Sequence, residues 1–334
     1  MKSAIMERPR KLVIREVPVP KCGPGEVLVR VRRATICNAT DPEIYEGTFP
    51  FIEGCGGYPH AFGHECMGEV VETGAKVKGK KIRVGDRVAF WCKMSGAYSQ
   101  YNAVPQVMAF AKLPDSVSDD AGALLELAGG GVARIADVAK IRRGEKVLVL
   151  GAGPGGLLLV QWAKILGAGR VAALEKHAMR RKLAERLGAD FTFDPLRTTP
   201  AKALALLRKR FGEFDVVCDA FGDDRSPGAW CTELAIDALR PGGRYVVFSH
   251  PTVRRPMPLA KISSRGLAVL GAPQSMEESE RILERAVKLA AQGRLKLDVL
   301  ITHRVGLSGL EWGIRECMRH PERVVKIAVD PWKE

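Results

Sequence analysis

Val147-Leu148-Val149-Leu150-Gly151-Ala152-Gly153-Pro154-Gly155-Gly156 decides the fold of this 334-residue chain. Four apolar residues run directly into a loop with glycine at 151, 153 and 156. A nearly continuous apolar run of this kind is the pattern of a strand buried on both faces, as in a parallel sheet. The residues that follow, 157–166, are good helix formers with apolar side chains on most faces, which predicts a buried helix. The unit is strand, tight turn, helix. The first glycine allows the turn, the second lets the backbone approach a pyrophosphate, and the third lets helix and strand close on each other. The pyrophosphate would rest on free amides at the helix N-terminus, where the dipole favours negative charge. The next apolar segment, 170–174, ends in Glu175, 19 residues beyond Gly156. A carboxylate there accepts hydrogen bonds from an adenosine ribose. These features predict a dinucleotide site at Gly151, Gly153, Pro154, Gly155, Gly156 and Glu175; the rival is a βαβ turn with no ligand.

Outward from this loop, short apolar segments alternate with long helical periods. Strands are expected at 146–150, 170–174, 191–194, 214–218, 243–248 and 267–271. Helices are expected at 157–166, 178–187, 200–211, 232–239 and 277–292, with stops marked by Gly167, Gly188, Gly212 and Pro241-Gly242-Gly243. Such alternation predicts a Rossmann-type, doubly wound parallel sheet of the α/β class over residues 128–274.

Residues 1–127 are different: short β-branched segments alternate with turn clusters, as in Pro18-Val19-Pro20-Lys21-Cys22-Gly23-Pro24-Gly25. Strands are expected at 11–17, 26–33, 67–72, 87–91 and 98–104, giving a mostly β, barrel-like domain whose loops can hold a site. Residues 275–334 supply a helix and a return segment. Its β-branched strand, 324–329, is expected to go back to the first domain rather than extend a complete nucleotide sheet.

Apolar residues make up 46% of the chain, and no run approaches the length of a membrane span. Residues 1–10 lack the apolar core of a secretion signal, so the chain reads as a cytoplasmic globular protein without a membrane partner. The eight cysteines are scattered and form no CxxC pair, which argues against a disulfide scaffold. The net charge of +14 invites an anionic partner. However, the basic residues are spread through the chain among acids, and no basic run carries interleaved aromatics. Nucleic acid is therefore not expected as a partner; a solvated arginine-rich surface accounts for the charge.

Chemistry-bearing residues lie outside the glycine loop. Gly63-His64-Glu65 precedes the strand expected at 67–72, and Cys37 lies 27 residues before His64. Taken alone, one cysteine and one histidine so far apart establish nothing. Glu126 adds weight, because it interrupts the apolar run Ala123-Leu124-Leu125-Glu126-Leu127-Ala128. A carboxylate in that setting costs free energy unless it is paired, hydrogen-bonded or metal-bound.

With the order of motifs complete, the chain resembles the medium-chain dehydrogenase/reductase superfamily, in its zinc-dependent alcohol and polyol (sorbitol and threonine dehydrogenase-like) branch. The matches run nearly end to end. They include Pro24-Gly25-Glu26-Val27-Leu28-Val29, Ile36-Cys37 followed by Thr40-Asp41, Gly63-His64-Glu65 with Gly68 and Val70, and Gly85-Asp86-Arg87-Val88. They continue through Tyr98-Ser99-Gln100-Tyr101, Ala123-Leu124-Leu125-Glu126, the glycine loop, Leu187-Gly188-Ala189-Asp190, Leu239-Arg240-Pro241-Gly242-Gly243 and the late Lys326.

The resemblance implies a GroES-like catalytic domain and a hydride transfer between a secondary alcohol (polyol, sugar, aminocyclitol or amino alcohol) and NAD. It implies that Cys37 and His64 are zinc ligands, that Glu65 is the carboxylate beside the histidine, and that Glu126 completes the metal shell. It places Thr40 at the start of the proton relay. Three residues, Asn38-Ala39-Thr40, separate Cys37 from Asp41 where most members have two, and Glu43 stands where many relays carry a histidine. Only Cys92 remains where the family's four-cysteine structural zinc loop would lie, which predicts one zinc per subunit. Cys55, Cys66 and Cys92 read as core or loop cysteines. The acid at Glu175 favours NAD over NADP, with Lys176, His177 and Arg180 close enough to soften its repulsion of a 2′-phosphate. Family members suggest a homodimer or homotetramer, with the strand near 267–270 as a candidate contact. Two rivals remain: a zinc-free quinone or enoyl reductase of the same superfamily, and a non-catalytic dinucleotide-binding protein that kept the fold.

Overall fold

The structure, a computed structural model, describes residues 1–50, 57–78, 82–91, 96–221, 228–249, 255–272 and 276–334. Cys55, Cys92 and most of the loops that contain them lie outside the described residues. The chain divides into two compact units, Met1–Gly130 with Gln274–Glu334, and Gly131–Pro273.

In chain order, the first unit begins with β1 (Lys2–Arg8), β2 (Lys11–Glu16) and β3 (Glu26–Thr35), then α1 (Thr40–Glu46) and β4 (His60–Ala61). It continues through β5 (Glu65–Thr73), β6 (Arg87–Trp91), β7 (Tyr101–Pro105), β8 (Phe110–Lys112) and α2 (Asp119–Ala123). A π-helix, Glu126–Ala133, follows. The second unit holds α3 (Arg134–Ala139), β9 (Lys146–Leu150), α4 (Pro154–Ile165), β10 (Arg170–Leu174), α5 (Ala178–Arg186) and β11 (Phe191–Phe193). After these come α6 (Pro200–Phe211), β12 (Phe214–Asp219), α7 (Gly228–Ala238), β13 (Leu239–Val247), α8 (Leu259–Ser264) and β14 (Ala268–Gly271). The chain then returns to the first unit through α9 (Met276–Ala291), β15 (Ile301–Gly306), α10 (Leu310–Arg319) and β16 (Lys326–Asp330).

Among the described residues, the second unit is a six-stranded sheet in the order β11-β10-β9-β12-β13-β14, with every pairing parallel. This is the doubly wound order in which ligands bind beyond the carboxyl ends of the strands, where the winding reverses between β9 and β12. Leu148, Leu150, Ala172, Leu174 and Val217 are buried on its central strands, as continuous apolar runs require. Helix α4 is buried from Gly155 to Ala163. β13 starts at Leu239, earlier than the glycines of Pro241-Gly242-Gly243 predict: Leu239 pairs with Phe214, and the register shifts before Arg244 meets Val216.

The first unit is built on β3. Its alternating Val27, Val29 and Val31 are buried, while Arg30 and Arg32 face solvent. β3 pairs antiparallel with β5, β7 and β16. The larger sheet runs β15-β16-β3-β5-β6-β8, and a smaller sheet, β2-β1-β4, joins it through a bridge between Ser3 and Ser99. The C-terminal strand thus pairs with β3 in the first unit. It begins at Lys326, because Val325 gives its amide to the side-chain hydroxyl of Thr302 in β15 rather than to a backbone carbonyl. Gly68 sits where β5 crosses β3; a Cβ there would stand 2.3 Å from the Arg30 carbonyl oxygen. Tyr98 and Ser99, expected in a strand, precede β7, and the Tyr98 side chain turns into the site described next.

Candidate active site

β3 and β5 deliver the first residues of the site side by side. Thr35 pairs with Glu65 in the ladder, and Glu65 pairs with Trp91 of β6 on its other side. Strand β5 therefore begins at Glu65, immediately after His64. Cys37 lies two residues beyond β3, in a turn closed by Asp41: the Cys37 amide donates to Asp41 Oδ2 at 2.7 Å, and the Asp41 amide donates to the Cys37 carbonyl at 3.3 Å. Gly63 takes a φ of +91° where the chain crosses the Tyr98 ring, and a Cβ there would lie 2.6 Å from that ring. Only glycine fits that crossing, which sets His64 against Cys37.

The result is a compact donor set. The ligating atoms of Cys37, His64 and Glu65 all lie within 4.8 Å of one another. His64 and Glu65 are buried, and Cys37 is partly so. Glu126, also buried, opens the π-helix, and its Oε1 lies 3.8 Å from where a Cβ on Gly130 would be. Wide helical turns of this kind are rare and cluster at functional sites. Thr40 opens α1 with partial exposure, and Glu43 lies one turn on, its carbonyl receiving the amides of Thr48 and Phe49.

The electrostatics favour a cation. Burial opposes protonation of His64, yet Cys37, then Glu126 and Asp41, raise it well above the ordinary imidazole range. Burial raises Asp41, opposed by His64, by the Tyr98 hydroxyl 2.5 Å away, and by the Cys37 amide. Burial likewise holds the Tyr98 phenol well above its usual value, and Asp41 reinforces it. Lys326 is 1% exposed. Burial alone would lower it, but Glu65 and then Cys37 outweigh that and raise it. Its Nζ donates to the Ile36 carbonyl at 2.7 Å and to Glu65 Oε2, which also accepts from Thr35 Oγ1. Glu65 Oε1 is buried without a hydrogen-bond partner. A soft thiolate, an imidazole and a carboxylate with an orphaned oxygen form a donor set that fits zinc.

The glycine loop forms a tight turn between β9 and α4. Gly151 takes a φ of +81°. A Cβ on Gly156 would lie 1.9 Å from the Gly151 carbonyl oxygen, so that position closes the turn on itself. Gly153 is the N-cap of α4 and supplies no side-chain cap, and Pro154 holds the first turn. The amides of Gly155 and Gly156 follow in that first turn, suited to an anion. Glu175 is buried at the end of β10, where Oε2 accepts the Ala152 amide at 2.9 Å and Oε1 accepts the His177 amide at 2.8 Å. Each oxygen keeps a lone pair for a further donor. The Arg180 guanidinium comes within 3.9 Å of where a Gly153 Cβ would be.

Three buried groups carry this geometry without having been assigned a role from sequence: Asp41, Tyr98 and Lys326. Lys326 interrupts the apolar run Val324-Val325-Lys326-Ile327-Ala328-Val329, which was the available signal; Asp41 and Tyr98 stood only as members of the matched motifs. Nothing in the sequence pairs Lys326 with Ile36, 290 positions away.

The comparisons agree with this architecture. Residues 23–115 match the alcohol dehydrogenase GroES-like domain, and residues 154–292 match the zinc-binding dehydrogenase model. The chain is 30% identical over 332 residues to an L-threonine 3-dehydrogenase of Salmonella gallinarum, covering 89% of this chain and 90% of that protein. Among solved structures it resembles 2R,3R-butanediol dehydrogenase from Bacillus subtilis, with a TM-score of 0.86, 28% identity and 99% coverage of each chain. A zinc-binding dehydrogenase from Sinorhizobium meliloti bound to NADP gives a TM-score of 0.83 at 25% identity, again with 99% coverage of each. The chain belongs to the zinc-dependent alcohol dehydrogenase family of medium-chain dehydrogenases/reductases. It is an oxidoreductase of that family, with NAD(P) use implied by the family. No helix among the described residues is long and apolar enough to cross a membrane.

Proposed function

We propose that the protein oxidises a secondary alcohol bearing a neighbouring hydroxyl or amino group, using one zinc ion per chain and NAD. The observation that carries this reading is the buried donor set of Cys37, His64 and Glu65. Cys37, His64 and Glu126 would hold the metal, with Glu65 beside it, locked by Lys326 and free to offer its second oxygen. Bound there, zinc would polarise the substrate oxygen and lower the alcohol's pKa, and bound NAD would supply the hydride acceptor. Asp41 and Tyr98 hold the Cys37 turn in place, so the ligands are preorganised before metal or substrate arrives. The Thr40 hydroxyl, at the head of α1, accepts the alcohol proton and passes it outward, through Glu43 or solvent.

The amides at the start of α4 receive the pyrophosphate, assisted by Arg180. Glu175, anchored through both oxygens, presents its remaining lone pairs to ribose hydroxyls and negative charge against a 2′-phosphate, which favours NAD. Support for the substrate class comes from the relatives: L-threonine and 2R,3R-butanediol both carry a heteroatom next to a secondary carbinol. We place the protein in the cytoplasm as a homodimer or homotetramer joined through β14, an edge strand whose Val269 is 40% exposed.

Cys37→Ser tests the reading. We expect metal content to fall from about one zinc per chain to below about a tenth, with NADH binding retained and NAD reduction lost across a panel of polyols, aminocyclitols, aldoses and threonine. Unchanged turnover of the true substrate would remove Cys37 from the metal shell.

A further inference from the structure

A second buried charge cluster lies in the nucleotide-binding unit. Asp219 ends β12, paired in register with Leu150, the residue before Gly151. It is 3% exposed. Its Oδ2 accepts the Tyr245 hydroxyl at 2.7 Å and Arg255 Nη1 at 3.0 Å, and its Oδ1 accepts the Phe221 amide at 3.3 Å. Its carbonyl takes the amides of Phe248 and Ser249 at 2.9 and 3.0 Å. The other arm of Arg255 donates to the Phe221 carbonyl, and its guanidinium carbon lies 4.3 Å from the centre of the Phe221 ring. The Arg255 side chain is itself 9% exposed.

Two aromatic residues are tied to this cluster, Phe221 through its ring and carbonyl and Phe248 through its amide, and both abut the glycine loop. Phe221 Cβ is 3.1 Å from where a Cβ on Gly151 would be. Phe248 Cε1 is 2.2 Å from where one on Gly155 would be. A buried ion pair contributes little net stability against an apolar replacement of the same volume, so geometry is what such a pair supplies. Arginine suits the task, because one planar group bonds two acceptors and stacks on a ring at once.

In this strand order the two halves of a dinucleotide lie over the two halves of the sheet. Glu175, at the end of β10, marks the adenosine half. The half over β12 and β13 is left for the nicotinamide. We infer that Arg255 is a positioning residue for the nicotinamide half of the cofactor, acting through Asp219 and Phe221 to fix the wall beside the glycine loop. The inference rests on the dinucleotide reading of that loop. Arg255 itself touches no reacting atom.

The test compares the whole cofactor with its adenosine half. NADH and NADPH are titrated by fluorescence and AMP by calorimetry, on wild type, Arg255→Met, Arg255→Lys, Phe221→Ala and the Arg255→Met/Phe221→Ala double variant. We expect Arg255→Met to weaken reduced-cofactor binding by about tenfold or more while AMP affinity stays within about twofold. Arg255→Lys keeps the charge beside Asp219 and recovers part of the loss. Phe221→Ala reproduces the loss, and the double variant is no worse than either single one, because the two act in one path. Should Arg255→Met fail to fold, Phe221→Ala decides the matter alone.

Unchanged cofactor affinity in Phe221→Ala overturns the inference. So does an equal loss of AMP binding, which would mean general damage to the unit. A wild-type protein that binds neither reduced cofactor nor AMP overturns the dinucleotide reading instead, a separate outcome.

Discussion

Replacing Lys326 by methionine is the sharpest test of the buried donor set. Methionine keeps most of the packing volume of the stem and removes only the charge and its hydrogen bonds. In the native site Nζ serves two acceptors, the Ile36 carbonyl at 2.7 Å and Glu65 Oε2. After the change, Glu65 Oε2 keeps only the Thr35 hydroxyl, and Oε1 has no partner already. Losing a charged hydrogen bond costs about 1.5–3 kcal/mol, and a stranded carbonyl adds about 1 kcal/mol. That agrees with the roughly 3–5 kcal/mol lost when one partner of a buried pair is removed. The assay is urea unfolding of the zinc-free protein, followed by tryptophan fluorescence and by far-UV circular dichroism, because two units need not unfold together. Lys326, Ile36 and Glu65 all belong to the first unit, so the loss falls in that unit's transition. Lys326→Met/Glu65→Leu, which removes both charges, recovers most of the stability. A loss below about 1 kcal/mol by both probes, or a double variant as unstable as the single one, would refute the claim that this pair is coupled through burial.

Two further outcomes follow from local geometry. Gly156→Ala puts a Cβ 1.9 Å from the Gly151 carbonyl oxygen, a backbone clash that cannot relax through a side chain; NADH binding by fluorescence titration is expected to fall at least about a hundredfold with zinc content unchanged, and near-normal affinity would mean the loop does not form this turn. Cys218 and Cys231 are pushed up to about 12 by burial, reinforced by Asp219. Between the ordinary thiol value and about 12 the unfolded chain has lost these protons while the folded one keeps them, so stability falls as pH rises through that window, by up to about 1.4 kcal/mol per pH unit for each thiol. Cys218→Ala should flatten the decline in unfolding free energy measured between pH 9 and 11; an unchanged slope would place the alkaline sensitivity elsewhere.

The nucleotide-binding unit was legible because its signals are local. The strand at Lys146–Leu150, the strand at Arg170–Leu174 and the helix at Pro200–Phe211 follow directly from apolar runs bounded by glycine or opened by proline. Helix α1 was not legible: its seven residues include Pro42, and tertiary contacts sustain it, with Tyr45 bonded to Glu311 of α10. The π-turn at Glu126 has no composition signal beyond its glycines. For the same reason Asp41, Tyr98 and Lys326 showed as family landmarks without roles, since each acts on a group that only the folded chain brings near.

The return of the last strand therefore does more than complete a sheet. β16 pairs with β3 through Thr35↔Ala328 and Ala34↔Val329, and the Ile36 amide donates to the Ile327 carbonyl at 3.0 Å. That register fixes Lys326 beside Ile36, one residue before Cys37, and lets its ammonium reach Glu65 at the head of β5. The positive charge that offsets the acidic donor set thus comes from the far end of the chain. Cys37 and Glu65 can be brought together by β3 and β5 alone, but the buried carboxylate would then lack its cation. The glycine loop carries the nucleotide signal in one unit; in the other, the alignment of β3, β5 and β16 is what gives the buried donor set of Cys37, His64 and Glu65 its compensating cation.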